Sequence, residues 1–494
     1  MRYILTLCMT MLITTAQAHA ADIKLQRAMD QFKRNHYNYA SELRLDLLSM
    51  ASTDLSSAYL ILGMSYLKSA NLYNRLHGVS ISANLEYLGR ISDRKGKNKS
   101  QMAMMFLAEA YLAAKRPAQA AFYFQKVLKD PDMSSSAKDL SRVGLGLSLF
   151  LQGNRSQAQK LWDGLAGSDD PEVLSELASA FVKAGLKDKN PLQLCERALM
   201  LSGKSGERAS SRVVSNSISV YASEGQIEKG LNLVRGADLK GSTFQEELGR
   251  NKTLLFYNLS QLENLAVLYG RASIHYLEKA VRRPKPNRMV FYYLAEAYSI
   301  SGMPSKSNKA VDSFLTSWPL PKLQKSAATA IRAQNSVTSG KISEGKITFD
   351  VLARENWQNP RILAQALNAC SNVLDDCSEI VSSAEKMLQS RKDRSYSELN
   401  YALGRHYLAG KKLDSALSYM EAGRDKSYKN KIEYNNPLLL VDLADVYFKL
   451  KKFSEALEIL FEMGLQYPAV RQIQNAMQGV YSMVQESAGD VKVL

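Results

Sequence analysis

Apolar residues recur at helical spacing along nearly the whole chain. Met104, Leu107, Ala108 and Tyr111 fall at i, i+3, i+4 and i+7, one face of an α-helix. Ala120, Phe124 and Val127 mark a second amphipathic helix, closed by Asp130-Pro131. The same offsets return at Leu440, Leu443, Ala444 and Tyr447, then at Ala456, Leu460 and Met463, with the closing Pro468 one residue later. The first helix sets one small residue among large ones. The second places a small residue where two helices must approach. The pattern predicts a helical hairpin that buries one face within itself and the other only against a neighbouring copy.

Further copies follow. Tyr59-x2-Leu62-Gly63-x2-Tyr66, Phe291-x2-Leu294-Ala295-x2-Tyr298 with Gly302, and Asn400-x2-Leu403-Gly404-x2-Tyr407 with Ala416 repeat the first-helix pattern. Weaker ones are Leu145-Gly146 with Gly153, Ala158 and Trp162; Leu174-x2-Leu177-Ala178-x2-Phe181 with Gly185; Val214 to Tyr221 with Gly225; and Gly340 with Phe349 and Leu352. A degenerate first copy runs from Ala28 and Phe32 through Ala40, Leu43 and Leu47. This spacing resembles the tetratricopeptide repeat (TPR) family, whose signature is W-x2-L-G-x2-Y, a later Ala-x3-Phe and a closing Pro. The resemblance implies an all-α solenoid of about ten to twelve helical hairpins, wound as a right-handed superhelix. The sequence departs from the family in its repeat lengths, about 32 to 42 residues instead of 34. Tyr, Met, Phe or Leu stands in for the first Trp, and some copies lack the closing Pro. Irregular lengths predict kinks or sub-arrays.

Punctuation suggests where the array divides. Thr316-Ser317-Trp318-Pro319-Leu320-Pro321 carries two prolines that block helix continuation. Asn190-Pro191 and Arg283-Pro284-Lys285-Pro286-Asn287 are similar, and Gly96 to Ser100 reads as an exposed basic loop. The expected organisation is a leader over 1–20, an N-terminal array over 21–318, a C-terminal array over 319–468, and a capping helix with tail over 469–494. The leader has a short positive start at Arg2, an apolar run from Tyr3 to Ile13, and Ala18-His19-Ala20 as the cleavage site. It reads as a bacterial export signal, so the expected location is the periplasm. No later run reaches ~18 apolar residues, so no stable membrane span is expected.

Composition narrows the class. The chain has 494 residues, with 46% hydrophobic and 23% charged residues. These values exclude a disordered or collagen-like chain. Low Gly (27) and Pro (12) agree with helices rather than a turn-rich β fold. Three cysteines remain after the leader. Cys370 and Cys377 either close a local disulfide, if the helix breaks near Leu374-Asp375-Asp376, or are two buried thiols in adjacent helices. His36, His77, His275 and His406 are too scattered for a metal site, and no cofactor or metal is expected.

Candidate chemistry is sparse. Gly203-Lys204-Ser205 resembles the end of a phosphate loop, but Ala198 stands where the loop needs its first Gly. Ser135-x-x-Lys138 with Lys204-Ser205-Gly206 resembles scattered penicillin-binding boxes, which need a sheet that this chain lacks. Solvated inter-helix loops account for both. No catalytic residue is expected.

The net charge of +16 gathers in basic clusters at Arg90–Lys99, Arg282–Arg288 and Lys426–Lys431. These read as solvated loops or as attraction to an anionic partner. Export argues against nucleic acid. In a TPR array the first helices line the concave side. The resemblance therefore places Met105, Glu109, Leu112, Tyr292, Glu296, Ser299, Tyr401, Arg405, Leu408, Val441, Asp445 and Phe448 toward a groove suited to a peptide or helix. Tyr292, Glu296, Tyr401, Arg405, Asp445 and Phe448, with Arg282, Arg283 and Lys285 of the basic loop, form the expected partner-binding set.

Two function classes follow. One is a non-catalytic periplasmic scaffold with protein partners of the cell envelope, serving a pilus, secretion or polymer-export machine. The other is an enzyme or accessory subunit of envelope polymer metabolism, acting on peptidoglycan or polysaccharide; a glycan-binding module is a third, weaker reading. The leader gives a direct expectation: intact mass of the exported protein should correspond to a chain starting at Ala21. A mass that retains residues 1–20 would overturn it.

Overall fold

A computed structural model of the chain describes residues 23–34, 37, 43–49, 55–92, 97–204, 209–236, 254–316, 319–390, 396–424 and 436–466. The expected leader, Trp318, the basic run Lys426–Lys431 and the capping helix lie outside these residues. Every regular element among the described residues is helical. In chain order, α1 spans 23–33, α2 Arg44–Leu48, α3 Leu55–Ser92, α4 Lys97–Ala113, α5 Pro117–Lys129, α6 Ser135–Leu151 and α7 Arg155–Trp162. Then come α8 Pro171–Ala184, α9 Pro191–Lys204, α10 Ser211–Ser223, α11 Ile227–Gly236, α12 Leu254–Val281, α13 Met289–Ile300, α14 Pro304–Thr316 and α15 Lys322–Thr338. The series ends with α16 Ile342–Glu355, α17 Pro360–Ser371, α18 Ser378–Ser390, α19 Ser397–Ala409, α20 Leu413–Gly423, α21 Pro437–Lys449 and α22 Phe453–Gln466. The fold is an all-α helical-hairpin solenoid.

One local device ends the first helix of most hairpins. Gly153, Gly185, Gly225, Gly302 and Gly340, joined by Lys115 and Lys411, take a left-handed backbone. The next residue's N–H then donates to the carbonyl five residues back, as in Arg116 to Tyr111, Leu186 to Phe181, Gln226 to Tyr221, Met303 to Tyr298 and Lys412 to Tyr407. This is a Schellman closure, and its acceptor carbonyl belongs to the aromatic that ends the sequence signature. N-termini are capped by Ser134, Asp170, Ser210, Asn359 and Asn436, whose side-chain oxygens accept from the first turn. Lys97 to Ser100 form the first turn of α4, so the loop expected over Gly96 to Ser100 is corrected. Gly203 and Lys204 likewise belong to the end of α9 rather than to a loop.

The chain divides into two compact units. One comprises residues 1–69 and 272–450, the other 70–271 and 451–494. In the second unit, hairpins α4/α5, α6/α7, α8/α9 and α10/α11 follow in order. The first helices α4, α6, α8 and α10 each pack on the next one of the series. Gly144 lies under Phe124, where a Cβ would come within 2.3 Å of the ring. Gly146 lies under Trp162 in the same way, at 2.3 Å from Nε1, and that Nε1 donates to the Val143 carbonyl at 3.2 Å.

In the other unit the hairpins are α13/α14, α15/α16, α17/α18 and α19/α20, followed by α21. Apolar packing runs across Pro319, since Phe314 before it and Ala328 and Ile331 after it share one core. The expected division there is therefore not a break in packing. The Tyr59–Tyr66 copy also departs from expectation. No proline interrupts α3, which continues for 38 residues, and residues 55–69 find their partner in α12 instead. Gly63 sits under Leu277, and Tyr66 stacks on Tyr276 at 5.7 Å. Successive hairpins are stapled by signature tyrosines. Tyr298, Tyr407 and Tyr447 donate to Glu278, Glu385 and Glu421 of the preceding second helix at 2.5, 2.6 and 2.8 Å. Cys370 and Cys377 form a disulfide across the break between α17 and α18, with Cα atoms 6.2 Å apart.

The close helix approach gives a prediction. Gly146→Ala should cost about 1–3 kcal/mol, because the indole that blocks the new methyl is held by its own hydrogen bond. Gly270→Ala on α12, where a Cβ meets nothing within 4 Å, should be neutral or stabilising by up to about 1 kcal/mol. Urea unfolding of both variants checks the contrast.

Candidate functional site

The first helices α4, α6, α8 and α10 of the 70–271 unit pack on one another in series and carry one continuous face, the side the TPR resemblance makes the inner one. Charged side chains converge there around Arg212 of α10, itself 7% exposed. Its Nη1 donates to Glu109 of α4 and to Glu176 of α8, each at 3.0 Å, and its Nε lies 3.8 Å from Glu172 of α8. The Asn216 amide donates to Glu176 at 2.9 Å. Two residues beyond Phe181, the last buried residue of α8, Lys183 pairs with Glu263 of α12 at 2.9 Å. His77 of α3 lies beside Glu263 and Lys183.

The glutamates keep about a quarter of their side-chain surface, yet the surrounding protein removes much of their water. Burial pushes the Glu109 carboxyl above its usual range; Arg212 opposes this, and Glu176 and Glu172 add to it. Burial would also raise Glu176, but Arg212, the Asn216 amide and Lys183 outweigh it and hold this carboxyl low. Burial lowers His77, which favours the neutral ring. The arrangement is an ion network that joins α4, α8, α10 and α12.

The other unit carries its own polar clusters. Lys68 of α3 pairs with Glu296 of α13 at 2.9 Å. Burial works against the Lys68 charge, but Glu296 more than compensates and holds the ammonium above its ordinary range. Tyr292 is half-buried against Tyr293 and Phe314, with ring centroids 5.3 and 5.6 Å away. Further along, Arg405 of α19 donates to Asn368 and Asn372 of α17 at 3.0 and 2.9 Å and lies 3.6 Å from Asp442 of α21. Tyr401 donates to the same Asp442 at 2.9 Å.

The expected partner-binding set is only partly available. Tyr401, Asp445 and Phe448 are buried at 5, 8 and 5% exposure, and their assignment as groove contacts is corrected. Adjacent first helices pack so closely that Tyr401 is spent on the α19–α21 contact, and Asp445 pairs along its own helix with Lys449. Arg405 bridges three helices. Glu296 remains at the wall, paired with Lys68. In the basic loop, Arg283 lies over the Tyr59 ring at 5.4 Å. Arg282 is exposed beside Glu278 at 3.7 Å, and Lys285 is exposed with a left-handed backbone. The sequence did not point to Arg212, Glu172, Glu176 or Lys183, because wall charges follow no apolar period. A base opposite glutamates in neighbouring copies was the one available signal.

The two carboxylates respond oppositely to pH. The Glu176 contribution is present above the ordinary carboxylate pKa, about 4.3, and is lost as pH falls below it. Glu109 favours its protonated form in the fold, so its ionisation above that pKa weakens the structure. Glu176→Gln should therefore cost about 1.5–3 kcal/mol at pH 7, the size of a charged hydrogen bond. The deficit should shrink toward zero below about pH 4. Glu109→Gln should cost less at pH 7. Urea midpoints at both pH values check this.

No protein-family model matches the chain, and no curated protein matches it. Solved structures with some likeness include Naa15/Naa10 bound to HypK-THB, with 13% identity over 96% of this chain and 98% of that one and a TM-score of 0.30. Another is the APC/C hetero-tetramer Cut9-Hcn1, with 12% identity over 92 and 95% and a TM-score of 0.27. A third is the P58(IPK) TPR domain, with 14% identity over 78 and 98% and a TM-score of 0.19. Scores this low support no argument about this chain, and its fold rests on its own helix packing.

Proposed function

We propose that the chain is a non-catalytic, exported scaffold that holds a protein segment along the inner side of its first helices and serves assembly of a cell-envelope machine. The observation behind this reading is the convergence of Glu109, Glu172, Glu176, Lys183 and Arg212 from the first helices α4, α8 and α10 onto one wall. Stacked hairpins present such a wall as a long surface. Its paired, part-exposed charges can exchange their intramolecular partners for those of a bound segment at little net cost in electrostatics. The expected export leader is the reason for the periplasmic side of the proposal, and the expected absence of an acid–base constellation is the reason for the non-catalytic side.

A photo-crosslinking amino acid tests the surface. Placed at Leu112, one turn along α4 from Glu109, it should capture a protein in the native envelope. Placed at Phe122, exposed on the second helix α5 at 52%, it should capture none. Capture from Phe122 alone would put binding on the outer side and overturn the proposal.

A further inference from the structure

The Arg212 bridge spans an unusual distance along the repeats. Glu109 is on α4 and Arg212 on α10, and the first helices α6 and α8 lie between these two in the series. The side chains nevertheless meet at 3.0 Å, with a second contact from Nη2 to Glu109 at 3.5 Å. That bond ties the first and fourth hairpins of the series directly to each other. Without it, the first and fourth hairpins are joined only through the pairwise contacts of the helices between them.

The chemistry at the junction is unbalanced. Three carboxylates from two helices surround one guanidinium. Lys183, the other cation acting on Glu176, is engaged by Glu263. Asn216 donates to Glu176 but brings no charge. Among the described residues the junction therefore holds more carboxylates than cations, in a site with little water, where an added cation is favoured. Arg212 already shows which group fits: a guanidinium reaching carboxylates on both sides of the closed wall. This local sign is opposite to the +16 of the whole chain.

Resting on the scaffold reading, we propose that Arg212 is a built-in latch occupying the socket of a partner's basic side chain. A segment bearing Arg or Lys takes over Glu109 and Glu176 and opens the inner side of this unit. The closed wall lowers the apparent affinity for such a segment by the fraction of molecules that are open. An acidic segment gains nothing there, because it meets carboxylates.

The test uses the full mature chain and two fluorescein-labelled peptides, one alternating Arg and Ala, the other Glu and Ala. Arg212→Gln vacates the socket, so fluorescence anisotropy should show the basic peptide binding about tenfold tighter than to the wild type or more. The acidic peptide should be unchanged, and adding Glu176→Gln should abolish the gain. Equal binding of both peptides, or no gain with the helical melt intact, would overturn the latch. Hydrogen exchange on the wild-type chain decides the matter if Arg212→Gln does not fold. The basic peptide should speed exchange over 97–113 and 211–223, and unchanged exchange there would refute opening. Crosslinking from Leu112 that is indifferent to Arg212→Gln would remove the latch and leave the scaffold; no capture at all would remove the scaffold itself.

Discussion

A helix pair in this protein closes only where one helix offers almost no side chain to the other. Gly144 under Phe124, Gly146 under Trp162, Gly63 under Leu277 and Gly404 under Met420 each leave no room for a methyl group. Ala108, Ala178, Ala295 and Ala444 hold the same signature position and are fully or almost fully buried. That approach lets a large residue of the opposite helix fill the gap at near-crystalline density. It also fixes the rotation of each first helix, and with it which residues face the next hairpin and which face the inner side. The tyrosine–glutamate staples and the Schellman turns depend on that rotation. The same signature tyrosine ends its helix through its carbonyl and reaches the preceding repeat through its hydroxyl.

Much of this was legible in the sequence. The offsets around Ala108 and Ala120 give helices, their small-residue contacts and the hairpin order, because 3.6-residue periodicity reports which face is dry. Local periodicity reports nothing about which distant helix covers that face. The copy at Tyr59 to Tyr66 reads as an ordinary hairpin start, yet α3 runs on through Gly78 and Gly89 and closes on α12 some two hundred residues later. Nothing between Leu55 and Ser92 forces a turn, and partner choice at that range is set by tertiary packing. The inner wall was harder still. Projection by register treats adjacent first helices as standing apart. They pack closely enough for Tyr401 to reach Asp442 of the next first helix, and the wall that remains is marked by charges whose meaning comes from which helix they meet.

The polar wall shows how a repeat protein can hold binding chemistry without a cavity. A salt bridge with both ends half in water contributes little to stability. Arg212 is different in kind. It is buried and shared by three glutamates, so removing any one carboxylate redistributes the rest instead of leaving a bare charge. A network with that redundancy tolerates the exchange of one partner for another. Tolerance to exchange is what a binding surface needs, whereas an isolated buried pair would pay several kcal/mol for the same loss.

The two units put this principle to different uses. In the 1–69 and 272–450 unit, Arg405 is matched by Asn368, Asn372 and Asp442, one charge against one charge with amides completing the shell. The Tyr401 hydroxyl donates to the same Asp442 oxygen, Oδ2, that faces Arg405. These contacts tie α17, α19 and α21 together, as a bolt would. The Arg212 cluster is built from the same kinds of side chain but with carboxylates in excess, one of them pushed toward its protonated form. The difference between a bolt and a socket is thus a matter of stoichiometry. Counting carboxylates against cations among the described residues distinguishes the Arg405 cluster from the Arg212 cluster, and the proposed latch rests on that difference.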